Sequence, residues 1–172
     1  MNIRDQINIF IVDDNKIFTL ALKADIENAF MDMPVEVQTF ETGEKCMEIF
    51  KEEKPQVVII DYHLNSKYPD AADGIAILDW IKKENHETNV IMLTVDDGMD
   101  IALKSFHHGA FDYVVKTETQ FRKINFSLLN LFKTMETKSY ARRYKYLVIG
   151  IFICVALLVG GIIAVQIINH YS

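Results

Sequence analysis

The sequence predicts a doubly wound α/β domain, (βα)5, with five parallel strands in the order 2-1-3-4-5 and a transmembrane helix at its C-terminal end. Three observations carry that expectation. Short apolar runs alternate with amphipathic segments from Ile7 to about Thr119. Acidic and polar residues stand directly after four of those runs: Asp13-Asp14, Asp61, Thr94 and Lys116. Finally, Leu147 to Ile168 is almost wholly apolar, with Gln166 its one strongly polar member.

The elements follow in order. Ile7 to Val12 reads as a buried strand, and Ile17, Leu20, Ala21, Ala24 and Ile26 follow at roughly helical spacing. Val35 to Phe40 alternates apolar and polar residues, as an edge strand does. Thr42 is placed to cap a helix through Cys46, Ile49 and Phe50, which Pro55 ends. Val57 to Ile60 is a short, wholly apolar strand, and Gly74 opens a third helix with Ile75, Leu78 and Ile81 inward. Val90 to Leu93 is the fourth strand. Met99 to His108 is a helix that Gly109 ends, and the His107-His108 pair reads as that helix end rather than a metal site. Tyr113 to Val115 is the fifth strand, and a long helix from about Thr119 carries Ile124, Leu128, Leu131 and Met135. Strands separated by helices imply parallel pairing with right-handed crossovers. Strands apolar on both faces imply a sheet covered on both sides.

Charge divides the chain in two. Residues 1–118 hold 11 Lys/Arg against 23 Asp/Glu, and residues 119–172 hold 7 against 1. A body this acidic repels phosphate backbones, which argues against nucleic acid as its partner. It suits a cation or a basic protein face. Cys46 and Cys154 supply neither a disulfide framework nor zinc spacing.

The apolar stretch of 22 residues would span about 33 Å as a helix, enough for a hydrocarbon core. Arg142, Arg143 and Lys145 precede it, and only Asn169, His170, Tyr171 and Ser172 follow. The positive-inside rule then puts the body in the cytoplasm and the C-terminus outside, as a single-pass protein of the cytoplasmic (inner) membrane in contact with lipid. No signal peptide precedes the first strand. Ala156, Gly160 and Ala164 recur every four residues. That stripe offers a homodimer face, although Gly and Ala are common in any span. The expected division is a core at 1–120, a fifth helix and basic linker at 121–146, the transmembrane helix at 147–168 and a short tail at 169–172.

In sheets of this order, ligands bind at the carboxyl ends of the strands. Asp13, Asp14, Asp61, Thr94 and Lys116 would therefore meet on one rim. Three close carboxylates resist ionisation unless a cation shares them. Hard oxygen ligands in that number suit Mg²⁺. Asp61 then has a carboxylate free to attack a phosphoryl group, whose charge Mg²⁺, Lys116 and the Thr94 hydroxyl would neutralise.

With these residues placed, the sequence resembles the receiver domain of two-component response regulators over about Ile7 to Leu131. The resemblance rests on Ile9 to Asn15 (IFIVDDN), Val57 to Leu64 (VVIIDYHL), Asp73-Gly74, Val90 to Thr94 (VIMLT) and Tyr113 to Lys116 (YVVK). It implies a flavodoxin-like fold and Mg²⁺ as cofactor. It implies Asp61 as phosphoacceptor from a histidine kinase or phosphotransfer protein. Asp13, Asp14, Asp61 and the His63 backbone carbonyl become metal ligands. Thr94, the Val95 backbone and Lys116 become phosphate contacts, with Thr94 and Tyr113 forming a switch. On activation the Tyr113 ring turns inward, and the face of the fourth helix, fifth strand and fifth helix changes its partner preference. His63 and Asp96 occupy positions that influence how long the aspartyl phosphate lasts.

Departures from the family pattern set further expectations. Val95 replaces a small residue and would narrow access to Asp61. Thr117 replaces proline, so a trans peptide would place Lys116 differently. The loop Asn65 to Asp73 is longer than usual and would cover the site or meet a partner. The short stretch before the apolar span leaves output to the receiver's own surface, to dimerisation, or to a helix that tethers or transmits. A second reading, a docking module with a receiver fold that is never phosphorylated, stays open here. An aspartyl-nucleophile phosphatase is disfavoured, since such hydrolases keep an acid where His63 stands.

Overall fold

The computed structural model describes residues 6–64, 72–137, 148–153 and 160. The chain divides into two units. One comprises Ile3–Leu131, and the other Met1–Asn2 with Phe132–Ser172.

In the larger unit the strands are β1 (Ile7–Val12), β2 (Val35–Phe40), β3 (Val57–Asp61), β4 (Asn89–Thr94) and β5 (Asp112–Val115). Among them run α1 (Lys16–Ala29), α2 (Gly43–Glu53), α3 (Gly74–Glu84) and α4 (Met99–His107). A fifth helix, α5, begins at residue 120. The sheet order is β2-β1-β3-β4-β5, and every pairing is parallel. This is the doubly wound arrangement expected from the alternating runs.

Period-2 alternation sorts the strand side chains into two cores. Phe10, Val12, Val58, Ile60, Val90 and Met92 pack with Cys46 and Phe50 of α2 and with Ile77, Leu78 and Ile81 of α3. The intervening residues Ile9, Ile11, Ile59, Ile91 and Leu93 are equally buried and face the other way. Also buried are Leu22 and Ile26 on α1 and Ile124, Leu128 and Leu131 on α5. Asn125 Nδ2 donates to Asp25 Oδ2 at 2.7 Å, joining α5 to α1. Packing both sheet faces is what forces the strand runs to be apolar throughout.

The helix starts are set by short polar side chains. Asn15, Thr42 and Asp73 cap α1, α2 and α3, accepting from the backbone N–H groups of Phe18, Lys45 and Ala76. The α1 cap fixes the phase of its helix and corrects one expectation. Of the apolar residues read at helical spacing, only Ile26 is buried. Thr19, Leu22 and Ile26 form the inward stripe, and Ile17 and Leu20 are exposed. Thr19 tolerates burial because its hydroxyl donates to the Lys16 carbonyl at 3.0 Å. On α4, His108 is the C-cap and its Nδ1 lies 2.7 Å from Asp79 Oδ1 of α3. Gly109 follows at φ +92°, the left-handed turn that stops the helix.

Cys46 is fully buried, and burial pushes its thiol up to about 12. Thiolate is the reactive form. In a Cys154→Ser background, Cys46 should therefore resist thiol reagents at pH 8 and react fully once denatured. Fast labelling of the folded chain would contradict the packing described here.

In the smaller unit, residues 132–137 and 148–153 are helical. Among the described residues no helix is long and apolar enough to cross a membrane. The expected span 147–168 lies mostly outside the described residues, as do residues 138–146 before it, Ala156 and Ala164. Most of the loop Asn65 to Asp73, expected to cover the site or meet a partner, also lies outside them, at 65–71.

Candidate functional site

Parallel register brings the strand ends together at the switch point where β1 lies between β2 and β3. Asp13 follows β1 and is buried, and Asp14 beside it is half-buried. Asp61 is the last residue of β3 and is 6 % exposed. Thr94 ends β4 and is fully buried. Lys116 follows β5, where its N–H donates to the Thr94 carbonyl at 2.7 Å.

One ammonium group ties two of the carboxylates together. Lys116 Nζ lies 2.7 Å from Asp13 Oδ2 and 2.9 Å from Asp61 Oδ2. The same Nζ lies over the Phe18 ring, 5.0 Å from the centroid. No cis peptide bond occurs among the described residues. The trans link to Thr117 thus leaves Lys116 within ion-pair reach of the site.

The charges explain each other. Burial raises the Asp13 carboxyl above its ordinary value, and the negative charge of Asp61 adds to that; Lys116 and the Asn15 N–H offset it only in part. Burial alone would lower Lys116, but Asp13 and Asp61 outweigh it and hold the ammonium above the ordinary lysine value. One cation is thus shared among more negative charge than it can neutralise.

The residues present fit a divalent metal. Ligand oxygens of Asp13, Asp14 and Asp61 lie within 4.8 Å of one another. Asp61 Oδ1 is buried and has no hydrogen-bond partner among the described residues, an expensive state for a carboxylate oxygen. The donors are all hard oxygens, as Mg²⁺ requires.

Asp96 is the residue the sequence undervalued. Its N–H donates to Thr94 Oγ1 at 3.1 Å, and its carbonyl accepts from the Tyr113 hydroxyl at 2.5 Å. Its Oδ2 lies 2.8 Å from His63 Nε2. One residue after β4 therefore meets the ends of β3 and β4 and the side chain of β5. The spacing of two from Thr94 was visible, but which backbone groups it meets depends on how the loop turns. An Asp directly after a strand can also serve as a helix cap. Asn15 takes that role, and Asp13 Oδ1 instead accepts from the Asn15 N–H at 2.8 Å.

Val95, expected to narrow access to Asp61, is 66 % exposed. Tyr113 is half-buried, and burial followed by the charges of Asp96 and Asp97 raises its hydroxyl above the ordinary tyrosine value. The hydroxyl therefore stays a donor at neutral pH.

Gly74 sits where α3 starts against the end of β3. A Cβ there would lie 2.4 Å from the Asp61 carbonyl oxygen and 2.8 Å from Tyr62 Cα. Backbone cannot rotate away as a side chain can. Gly74→Ala should cost about 2 kcal/mol, within the range for overpacking, and should shift Asp61. Denaturant unfolding and the rate of Asp61 modification would check both, and a variant normal in each would contradict the close approach.

Fold and rim together define an α/β domain with an acidic pocket at its switch point, whose carboxylates could hold a cation. The chain belongs to the response regulator receiver domain family, whose profile matches residues 9–125. Receiver domains are phosphoacceptor signalling domains, phosphorylated by histidine kinases or phosphotransfer proteins. The DNA-binding transcriptional regulator NtrC of Escherichia coli (strain K12) is 28% identical over 108 residues, covering 63% of this chain and 21% of that protein. The chain thus spans about a fifth of that relative's length. The response regulator DrrB of Thermotoga maritima, an OmpR/PhoB homolog, is similar in structure, with TM-score 0.64 and 29% identity over 76% of this chain and 54% of that one. A receiver domain protein from Clostridium thermocellum gives TM-score 0.65 and 25% identity, covering 76% and 98%.

Proposed function

We propose that the chain is a membrane-tethered receiver that accepts a phosphoryl group on Asp61 from a histidine kinase or a phosphotransfer protein and signals through its own surface. The observation that carries the phosphoacceptor part is the Asp61 carboxylate itself. One oxygen is held by Lys116 at 2.9 Å, while the other is buried with no partner among the described residues. An Asp61 oxygen attacks the phosphorus, the bond to the donor imidazole nitrogen breaks, and that nitrogen takes up a proton. Lys116 holds Asp61 in line and faces the incoming negative charge. Asp13, Asp14, Asp61 and the His63 carbonyl would hold Mg²⁺. When bound, the metal supplies positive charge to the phosphoryl oxygens.

Thr94 and the Val95 backbone would contact the phosphoryl oxygens once they arrive. Thr94 Oγ1 now accepts from Asp96, whose carbonyl binds Tyr113. Recruiting Thr94 would disturb that chain and reset the Tyr113 side of the domain. The switch is then a two-state equilibrium biased by one dianionic group.

The tether rests on the sequence of 147–168 and its basic flank, which put the body at the cytoplasmic face of the inner membrane. Within that stretch Ile151, Phe152 and Ile153 are exposed, as lipid-facing side chains would be. The Ala156, Gly160, Ala164 stripe supplies a face for a homodimer. Membranes from cells expressing the chain, washed with alkaline carbonate, should retain it; release into the supernatant would remove the tether. Purified chain given Mg²⁺ and acetyl phosphate should gain one acid-stable, base-labile phosphoryl adduct by intact mass. A folded chain that gains none would point instead to a docking module.

A further inference from the structure

We infer that the outward face of α5, with the groove beside β5, rests on an anionic lipid surface. This inference rests on the membrane-tether reading above. Arg122, Phe126 and Leu129 stand at i, i+4 and i+7 and form one stripe on the helix. All three are exposed, Phe126 at 65 % and Leu129 at 40 %. Next to them an open groove of about 410 Å³ is lined by Tyr113, Val114, Arg122, Lys123 and Phe126, together with Asp112. Asp112 is partly occupied, since its Oδ1 accepts from the Tyr113 N–H at 2.8 Å.

Charge chooses the occupant. Residues 1–118 carry a strong net negative charge, so an anionic leaflet repels most of the body. Residues 119–172 carry the basic excess, and Arg122 and Lys123 bring it onto this face. Large apolar side chains beside basic ones are what an interfacial helix presents, the rings entering the headgroup boundary and the cations meeting lipid phosphates. The same helix precedes the basic stretch and the apolar span in the chain, so tethering keeps the face at high effective lipid concentration. A second copy of this face would offer Arg122 and Lys123 only Asp112 of the groove lining as a counter-charge, and that carboxylate already accepts from the Tyr113 N–H.

The test uses the full chain with Trp80→Phe and Phe126→Trp, which moves the single tryptophan from α3 to this face. It is reconstituted into phosphatidylcholine vesicles with or without phosphatidylglycerol, with brominated acyl chains as quencher. The chain should float with both vesicles. The indole should lose about half its emission in the anionic ones and clearly less in the others. Adding Arg122→Glu and Lys123→Glu should abolish the quenching and leave flotation intact. Flotation with an unquenched indole overturns this inference and leaves the tether standing. An unquenched indole together with chain-to-chain photocrosslinking from Leu129 assigns the face to a second copy. A chain that floats with neither vesicle overturns both readings.

Discussion

Asp61→Asn should reduce phosphoryl adduct formation to background, a loss of at least about a thousandfold, since an amide oxygen is no substitute for a carboxylate nucleophile. The same change should scarcely affect folding. It removes the repulsion between Asp61 and Asp13 together with the 2.9 Å attraction to Lys116, and these oppose each other. We expect a stability change within about 1 kcal/mol without Mg²⁺. Intact mass after acetyl phosphate treatment reads the first effect, and denaturant unfolding the second. An undiminished adduct in the variant would move the acceptor role to another residue.

Removing Lys116 should have the largest effect on stability. Asp13 is fully buried, and Lys116 is a cation within ion-pair distance of both Asp13 and Asp61. Lys116→Met keeps the stem but leaves two close carboxylates sharing no charge. Breaking a buried pair in this way costs about 3–5 kcal/mol. Proton uptake gives the loss a definite pH dependence. Asp13 already titrates above its ordinary value in the fold, because burial and Asp61 favour the protonated form. Without Lys116 it rises further. The folded state then binds more protons than the unfolded state, so stability falls as pH rises through the raised value. The variant should lie closest to the parent under acid conditions and furthest from it at neutral pH. In the parent, Lys116 is raised, so its contribution is complete below the ordinary lysine value and is lost only as pH climbs through the raised one. Saturating Mg²⁺ should recover part of the loss by replacing the missing charge. Unfolding curves at pH 5 and pH 7.5, each with and without Mg²⁺, would measure all of this. A loss independent of both pH and Mg²⁺ would mean that Lys116 acts through packing alone.

Asp96 shows why part of the site was hidden. Its partners are the Thr94 hydroxyl at the end of β4, the Tyr113 hydroxyl from within β5 and the His63 ring just after β3. Two of those contacts use Asp96 backbone groups, which every residue has, so the side chain gave no hint of them. Strand ends were easier. A β-strand is read by its apolar run, and a polar residue that terminates the run must sit on the sheet's rim. Five such residues at the ends of four strands were therefore visible before any contact was known.

Helix phase was intermediate. On α3 the inward residues Ile75, Leu78 and Ile81 were legible because the outward face is polar apart from Trp80. On α1 apolar residues lie on both faces, so composition did not distinguish the buried one. The Asn15 cap and the sheet surface beneath chose Thr19, Leu22 and Ile26.

By itself, the sequence determined the strand order class, the acidic rim and the split between an acidic body and a basic, apolar tail. Each is a local property, readable from period, run length and charge. Tertiary structure alone decided that Lys116 bridges Asp13 and Asp61 and that Asp96 joins the Thr94 hydroxyl, the Tyr113 hydroxyl and the His63 ring. Those outcomes depend on distances between residues far apart in the chain. Only the parallel register of the packed sheet sets such distances, because a rim position fixes where a side chain begins and packing fixes where it ends.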